Sequence, residues 1–363
     1  MRILEVLSDT NRGGAGVYLE SYIANRAPDI EVIVALPHGA AMAERLRAAG
    51  AHVVECSLKG DTSYNSEDIK VLKICIETFR PDIVHTHGSL SGRMAARSAG
   101  RCKTVYTKHT LSPPPAGLRK IASALLDNRL TDAAIAVSKT GAQNLRDNGL
   151  KPEKIHLVYN GIEGLHPFTE GQRADFRAHF RVEAGELVVA CVARLEEIKN
   201  HAMLLAAFRQ AAAKQPALRL LLAGGGSLER KLRDMAVDYG IAERITFLGE
   251  LEDVRPVYGA ADIFALLSHS ENLPLTLLEA MSVSLPALLT RVGGMPEVVT
   301  EGESALFTDP QDAEKTASLL LRLADDPELR STLGAAASTR FNDRFTASVF
   351  AEQTERIYRK LVN

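Results

Sequence analysis

The chain has 363 residues, 46% of them hydrophobic and 24% charged, with a net charge of −2 and no Trp. That length allows two domains with cores of their own, and the composition is that of a soluble globular protein. No apolar run approaches the roughly 20 residues that span a bilayer, and no nucleic-acid partner is expected.

The N-terminus Met1-Arg-Ile-Leu-Glu-Val-Leu reads as a first strand, Ile3–Leu7. An acid inside its short apolar run, and the lack of a small-residue cleavage site, make it a poor signal peptide. Asn11-Arg-Gly13-Gly14-Ala-Gly16 follows and opens a helix expected near Val17. Glycines there allow close backbone approach to a ligand, and a helix N-terminus favours phosphate. A plain tight turn explains the same residues equally well. Further strands are expected at Val32–Leu36, Val53–Cys56, Ile83–Thr86, Thr104–Lys108, Ala134–Val137 and Ile155–Tyr159. A polar segment from Gly161 to about Gly171 reads as a linker. A second series follows at Leu187–Val192, Leu218–Ala223, Ile245–Leu248, Ile263–Leu267, Ala287–Thr290 and Ala305–Thr308. Strands alternating with helices imply parallel sheets covered on both faces, and two series imply two doubly wound α/β domains. The expected limits are 1–165 and 166–345, with a last helix within 346–363 packing back on the first domain. Ligands bind beyond the carboxyl ends of such strands, so a cleft between the domains is the default site.

Cys56, Cys75, Cys102 and Cys191 form no C-x-x-C pair and read as buried free thiols in a reducing cytosol. Charge is uneven: the first 165 residues are net positive and the rest net negative. Arg93, Arg97, Arg101, Lys103, Lys108, Arg119, Lys120 and Arg129 face the single acid Asp127 across 93–130. This excess suits phosphates or an anionic membrane, and a solvated basic face is the equal alternative. Within it, Leu118-Arg-Lys-Ile121-Ala-Ser-Ala-Leu125-Leu126 is an apolar stripe with basic flanks, suited to peripheral membrane attachment or to a core helix.

The chemistry-bearing residues concentrate in the second half. Arg194 lies past the strand Leu187–Val192, and Lys199 is expected to start the next helix beside Asn200. Two cations at the carboxyl end of a strand suit a diphosphate, Arg by bidentate contact and Lys as a point charge. The plainer reading is a surface cluster paired with Glu196 and Glu197. Glu271-Asn272-Leu273-Pro-Leu-Thr-Leu-Leu-Glu279 places two acids eight residues apart, the second within an apolar run. An unpaired buried carboxylate is costly, and a ligand rich in hydroxyls would partner it. If both were helical they would share a face; Glu271 is placed at or before the helix start, where amides favour an anion. Gly293-Gly294 then turns into another helix. Gly224-Gly225-Gly226 reads as a turn. Gly249 places the backbone of Glu250 and Leu251 near a base, and Asn160-Gly161 reads as a turn at the domain junction that could act as a hinge. His85, His87 and His109 are placed at strand ends of the first domain without the spacing of a zinc-binding helix pair. His109, followed by Pro113-Pro114-Pro115, is the strongest of the three as a partner for a sugar hydroxyl.

Together these residues resemble the retaining GT-B glycosyltransferases of family 4, over essentially the whole chain. The specific parts are Glu271 and Glu279 with Gly293-Gly294, the segment Ala193-Arg194-Leu-Glu-Glu-Ile-Lys199-Asn200, and Asn160-Gly161. The resemblance implies two Rossmann-like domains, the nucleotide held by the second and the acceptor by the first. It implies that Arg194 and Lys199 grip the diphosphate, that Glu279 binds the ribose hydroxyls, and that Glu271 lies beside the donor sugar with the amides of Asn272 and Leu273. Gly13 or Gly14 would approach the phosphate or sugar, and His109 the sugar hydroxyls. The implied reaction keeps anomeric configuration and needs neither metal nor cofactor. The donor is expected to be a UDP-sugar and the acceptor a glycan or lipid-linked molecule, in the cytoplasm or at the inner face of the cell membrane. Two departures stand out: Asn272-Leu273-Pro274 replaces the common Phe-Gly after the first acid, and Ser284 replaces a usual glycine. An epimerase, a phosphorylase of this fold, or a binding protein without turnover are the alternatives.

Overall fold

A computed structural model describes all residues, Met1–Asn363. The chain divides into two compact units, Met1–Glu163 with Arg344–Asn363, and Gly164–Asp343.

In the first unit, strands β1 (Arg2–Leu7), β2 (Glu31–Pro37), β3 (His52–Cys56), β4 (Ile83–His87), β5 (Lys103–Lys108), β6 (Ala133–Ala136) and β7 (Ile155–Leu157) form one parallel sheet in the order β3-β2-β1-β4-β5-β6-β7. The second unit repeats the plan with β8 (Leu187–Val192), β9 (Leu218–Ala223), β10 (Ile245–Gly249), β11 (Ile263–Leu266), β12 (Ala287–Thr290) and β13 (Ala305–Thr308), ordered β10-β9-β8-β11-β12-β13. These strands are rich in Val, Ile, Leu and Ala, and most of their residues are fully buried because helices cover both faces. In both sheets the order reverses beside the first strand, between β1 and β4 and between β8 and β11. Loops diverge at such a point and leave a crevice beyond the carboxyl ends.

Two sequence expectations shift. The first helix runs Gly14–Asn25, with Gly13 as its N-cap, three residues earlier than expected. Gly14 and Gly16 are therefore helical, and a Cβ on Gly16 would come within 2.5 Å of the Met42 side chain. The glycine there answers to helix packing.

The C-terminal helix Ala347–Val362 belongs to the first unit and buries Phe350, Ala351, Ile357 and Tyr358. Its entry is tied to the end of β7's connection: Ile162 N donates to Phe345 O at 3.1 Å, and Ala347 N donates to Ile162 O at 2.9 Å. A Cβ on Gly161 would lie 2.3 Å from Thr346 O. Gly161 is thus required by close backbone packing, a stronger constraint than a tight turn alone.

Candidate functional site

In the second unit the site is built where β8 pairs with β11, Val189 opposite Ile263. Arg194 leaves the end of β8 and is exposed. Lys199 ends a single 3-10 turn, Glu197–Lys199, one step before the helix His201–Lys214; it does not start that helix. Glu271 leaves the end of β11 and stands four residues ahead of the helix Leu275–Ser282, which holds Glu279. The two acids therefore do not share a helix face. His269 N donates to Ile198 O at 2.8 Å and ties the two loops together.

That tie brings Lys199 Nζ to Glu271 Oε1 at 2.5 Å, with side chains 18% and 9% exposed. Ser268 Oγ donates to the same carboxylate oxygen at 2.6 Å, and Thr290 Oγ1 donates to Ser268 O at 2.6 Å. The plainer alternative from sequence pairs the cations with Glu196 and Glu197. Instead Glu196 accepts from Ser227 N and Oγ, which hold its carboxyl below the usual range, with Arg194 adding a weaker pull.

Glycines fix this geometry. Gly293 has φ +56°, and a Cβ there would fall 1.5 Å from Glu271 O. Gly294 N donates to Asn272 O at 2.9 Å, so the double-glycine turn lies directly against the Glu271–Asn272 backbone. Gly224 and Gly226 back the Arg194 loop in the same way: added Cβ atoms would lie 2.1 Å from Ala193 O and 2.5 Å from Leu195 O. Gly249 closes β10 at φ +66°, hands its carbonyl to Gly224 N at 2.7 Å, and is followed by half-buried Leu251.

Glu279 is half-buried rather than enclosed, and Tyr258 Oη donates to its Oε2 at 2.6 Å. Tyr258 and Ser268 were not read from the sequence. A lone Tyr in an apolar helix and a lone Ser after a strand carry no spacing that links them to an acid. Asn272 and Leu273 are buried beside Glu271. The second unit thus sets two cations and two carboxylates around the reversal point, a set able to hold phosphates and hydroxyls together.

The first unit carries a cavity of about 540 Å³, lined among others by Ser8, Asp61, His87, Lys108, His109 and Ser112. Lys108 Nζ donates to Ser112 Oγ at 2.7 Å, and burial lowers its pKa. Gly13 and Gly14 start the helix beside Ala15, which lines the cavity.

Beneath the cavity the sheet face is polar. Glu5 on β1 stands opposite His85 on β4, and His87 follows two residues on, so all three project to one side. His85 is therefore mid-strand, not at a strand end. His87 Nε2 lies 3.0 Å from Glu5 Oε2, and His87 Nδ1 lies 2.9 Å from His109 Nε2. Tyr358 Oη donates to Glu5 Oε1 at 3.2 Å and meets His85 Nδ1 at 2.6 Å; His85 Nε2 meets Thr107 Oγ1 at 2.7 Å. Burial raises the Glu5 pKa, but the charge of His85 and hydrogen bonds from His85 and His87 outweigh it and lower it to about 2. Burial is the main cause that lowers His87 and His109, helped by the neighbouring imidazoles. Ligand atoms of Glu5, His85 and His87 lie within 4.8 Å of one another, a grouping that could gather a cation, yet each is already engaged by a hydrogen-bonding neighbour. The sequence did carry a signal for Glu5: an acid in the middle of an otherwise apolar strand.

The basic stretch divides. Arg93 is buried, pairs with Asp127 at 2.8 Å and stacks on the Tyr106 ring, so it is not part of a surface charge. The helix Gly117–Leu130 buries only Leu130, while Leu118, Ile121 and Leu125 are 84%, 59% and 69% exposed. It is not a core helix. No helix is long and apolar enough to cross a membrane.

Comparison with known proteins agrees with this plan. The family model "Glycosyl transferases group 1" matches residues 172–340, and "Glycosyltransferase Family 4" matches residues 12–163. A D-inositol 3-phosphate glycosyltransferase of Saccharomonospora viridis is 32% identical over 77% of this chain and 70% of its own length. Its namesake in Mycolicibacterium smegmatis is 31% identical over 72% of this chain and 64% of its own. Among solved structures, Anabaena HepE in complex with UDP and glucose superposes with a TM-score of 0.86 at 20% identity, covering 99% of both chains. Sucrose-phosphate synthase of Thermosynechococcus elongatus gives 0.80 at 21% identity, also over 99% of both. The two doubly wound parallel sheets are the GT-B fold, and the chain belongs to glycosyltransferase family 4.

Proposed function

We propose that the protein transfers a sugar, with retention of anomeric configuration, from a nucleotide diphosphate sugar to an acceptor held by the first unit. The observation that carries this reading is the Lys199–Glu271 pair at the sheet reversal point, with Arg194 on the same loop as Lys199. Arg194 and Lys199 bind the diphosphate and offset the negative charge that grows on it as it leaves. These two cations do the work that would otherwise ask for a divalent metal, so the reaction is proposed to be metal-independent. Glu279, steadied by Tyr258, accepts from the ribose hydroxyls. Glu271 and the amides of Asn272 and Leu273 orient the transferred sugar. In the step itself the bond from the anomeric carbon to the phosphate oxygen breaks and one to the acceptor oxygen forms on the same face. The acceptor proton passes to the departing diphosphate.

UDP is the proposed nucleotide, supported by the UDP bound in the HepE structures. The names of the relatives make a cyclitol phosphate one acceptor to try. The test is a thermal-shift screen against nucleoside diphosphate sugars, since a bound donor stabilises by mass action, followed by NMR of the product's anomeric configuration. An inverted product sinks retention, and product from donor alone points to an epimerase.

The exposed apolar face Leu118, Ile121 and Leu125, flanked by Arg119, Lys120 and Arg129, supports a peripheral contact with an anionic cytoplasmic membrane surface and a lipid-linked acceptor. Sedimentation with anionic vesicles at low salt tests it. Equal recovery with neutral vesicles, or with a Leu118→Ser, Leu125→Ser variant, would contradict it.

A further inference from the structure

Two imidazoles and one carboxylate beneath the first-unit cavity form a directed chain, Glu5–His87–His109. Glu5 is fully buried, and its two oxygens are engaged from different sides, Oε1 by Tyr358 Oη at 3.2 Å and Oε2 by His87 Nε2 at 3.0 Å. An ionised carboxylate only accepts, so His87 Nε2 must carry the proton. A neutral imidazole with Nε2–H has a lone pair at Nδ1. His87 Nδ1 lies 2.9 Å from His109 Nε2, and the two rings are within 22° of parallel, which suits one N–H···N bond. His109 must then be the donor through Nε2–H. Tyr18 presses edge-on against both rings, with centroids 5.3 and 4.9 Å away, and limits their rotation.

We infer that Glu5 and His87 are positioning residues that fix His109 in its Nε2–H tautomer, so that His109 Nδ1 serves as an acceptor for a sugar hydroxyl. The inference rests on the proposed reading that the first-unit cavity takes a sugar. The lowered pKa values of His87 and His109 agree with two neutral rings. The opposite arrangement, a charged His87 donating from Nδ1, would turn His109 Nδ1 into a donor and repel the same hydroxyl proton. A bound cation at Glu5, His85 and His87 would also break the chain, because His87 Nε2 would have to give up its proton.

The test is carried out on the full chain labelled with ¹⁵N at histidine, using long-range ¹H–¹⁵N correlations at neutral pH, with a His109→Gln variant for assignment. The expected result is a neutral Nε2–H tautomer for both His87 and His109 in the wild type. In Glu5→Gln, which keeps the shape but can present a donor, His109 should become a mixture of tautomers. Transfer turnover should fall about tenfold, the scale of one misdirected hydrogen bond, with the KM for the nucleotide sugar moved less. A His109 that carries its proton on Nδ1 or is charged in the wild type overturns the inference, with no need for the variant to fold. So does an unchanged His109 tautomer in a folded Glu5→Gln, or stoichiometric zinc by elemental analysis. The tautomer is read without substrate. Absence of transfer would therefore overturn the glycosyltransferase reading separately and leave the tautomer result standing.

Discussion

Lys199 and Glu271 are 72 residues apart in sequence and 2.5 Å apart in space, held together by the pairing of β8 with β11. Neither residue completes the site alone. The carboxylate keeps the ammonium at the crevice, and the ammonium offsets the cost of burying a carboxylate that is 9% exposed. Lys199→Ala should therefore do two things. It should lower transfer by about 100- to 1000-fold, the scale of losing one electrostatic contact to the departing group. It should also destabilise the protein by about 3 kcal/mol, because Glu271 is left buried with only Ser268 as a charge-quenching donor. Paired kinetics and denaturant unfolding check both.

Gly293 sits against the carbonyl of Glu271 so closely that a Cβ would lie 1.5 Å from it. Gly293→Ala should unseat Glu271, costing about 2 kcal/mol or more in stability and most of the transfer activity. A variant with wild-type turnover would show that the loop tolerates displacement.

Tyr258→Phe removes the hydroxyl that donates to Glu279 and leaves the ring in place. If Glu279 holds the ribose equally in ground and transition states, the KM for the donor should rise about 5- to 10-fold with kcat little changed. A selective loss of kcat would move Glu279 into the reacting centre.

Ser284 has φ +59°, a region that costs a side chain about 1 kcal/mol. Ser284→Gly should stabilise by about that amount, read as a shift in the urea midpoint at constant m-value. A Cβ on Gly334 would come within 2.0 Å of Ser284 O, so Gly334→Ala should destabilise the same corner.

The pH dependence of stability has a definite sign. Burial, with a smaller push from Lys199, lowers the His201 pKa to about 4. The folded state thus resists protonation that the unfolded chain accepts. The stability His201 confers as a neutral ring is complete above its ordinary value near 6.5 and is lost as pH falls towards 4, by about 3 kcal/mol over that window. His87 and His109 shift in the same direction. His201→Leu should flatten the stability profile between pH 4 and 6.5, and a profile parallel to wild type would contradict the assignment.

Much of this architecture was legible because parallel strands buried on both faces leave short runs of Val, Ile, Leu and Ala. All 13 strands lie where such runs predicted, within one or two residues at each end. Arg194, Lys199, Glu271 and Glu279 were legible because charges at strand ends and inside apolar runs need a reason. Their mutual arrangement was not. Sequence spacing says nothing of β8 pairing with β11, so beside the diphosphate role the only protein partners it offers Lys199 are its neighbours Glu196 and Glu197, and not Glu271. The start of the first helix was misjudged because Gly14 and Gly16 read as loop, whereas Gly16 answers to the Met42 contact. The Glu5–His87–His109 chain was hidden for a similar reason: Glu5 and His87 sit on two paired strands whose register puts them on one face, and His109 follows the end of a third.

Calorimetric titration of UDP into the wild type and into Lys199→Ala and Arg194→Ala shows whether these two cations grip a nucleoside diphosphate. Saturable one-site binding is expected in the wild type, with each variant weakened by at least about tenfold, the scale of one lost charge-assisted contact. Equal affinity in all three proteins, or no binding of any nucleoside diphosphate to the wild type, would contradict that grip.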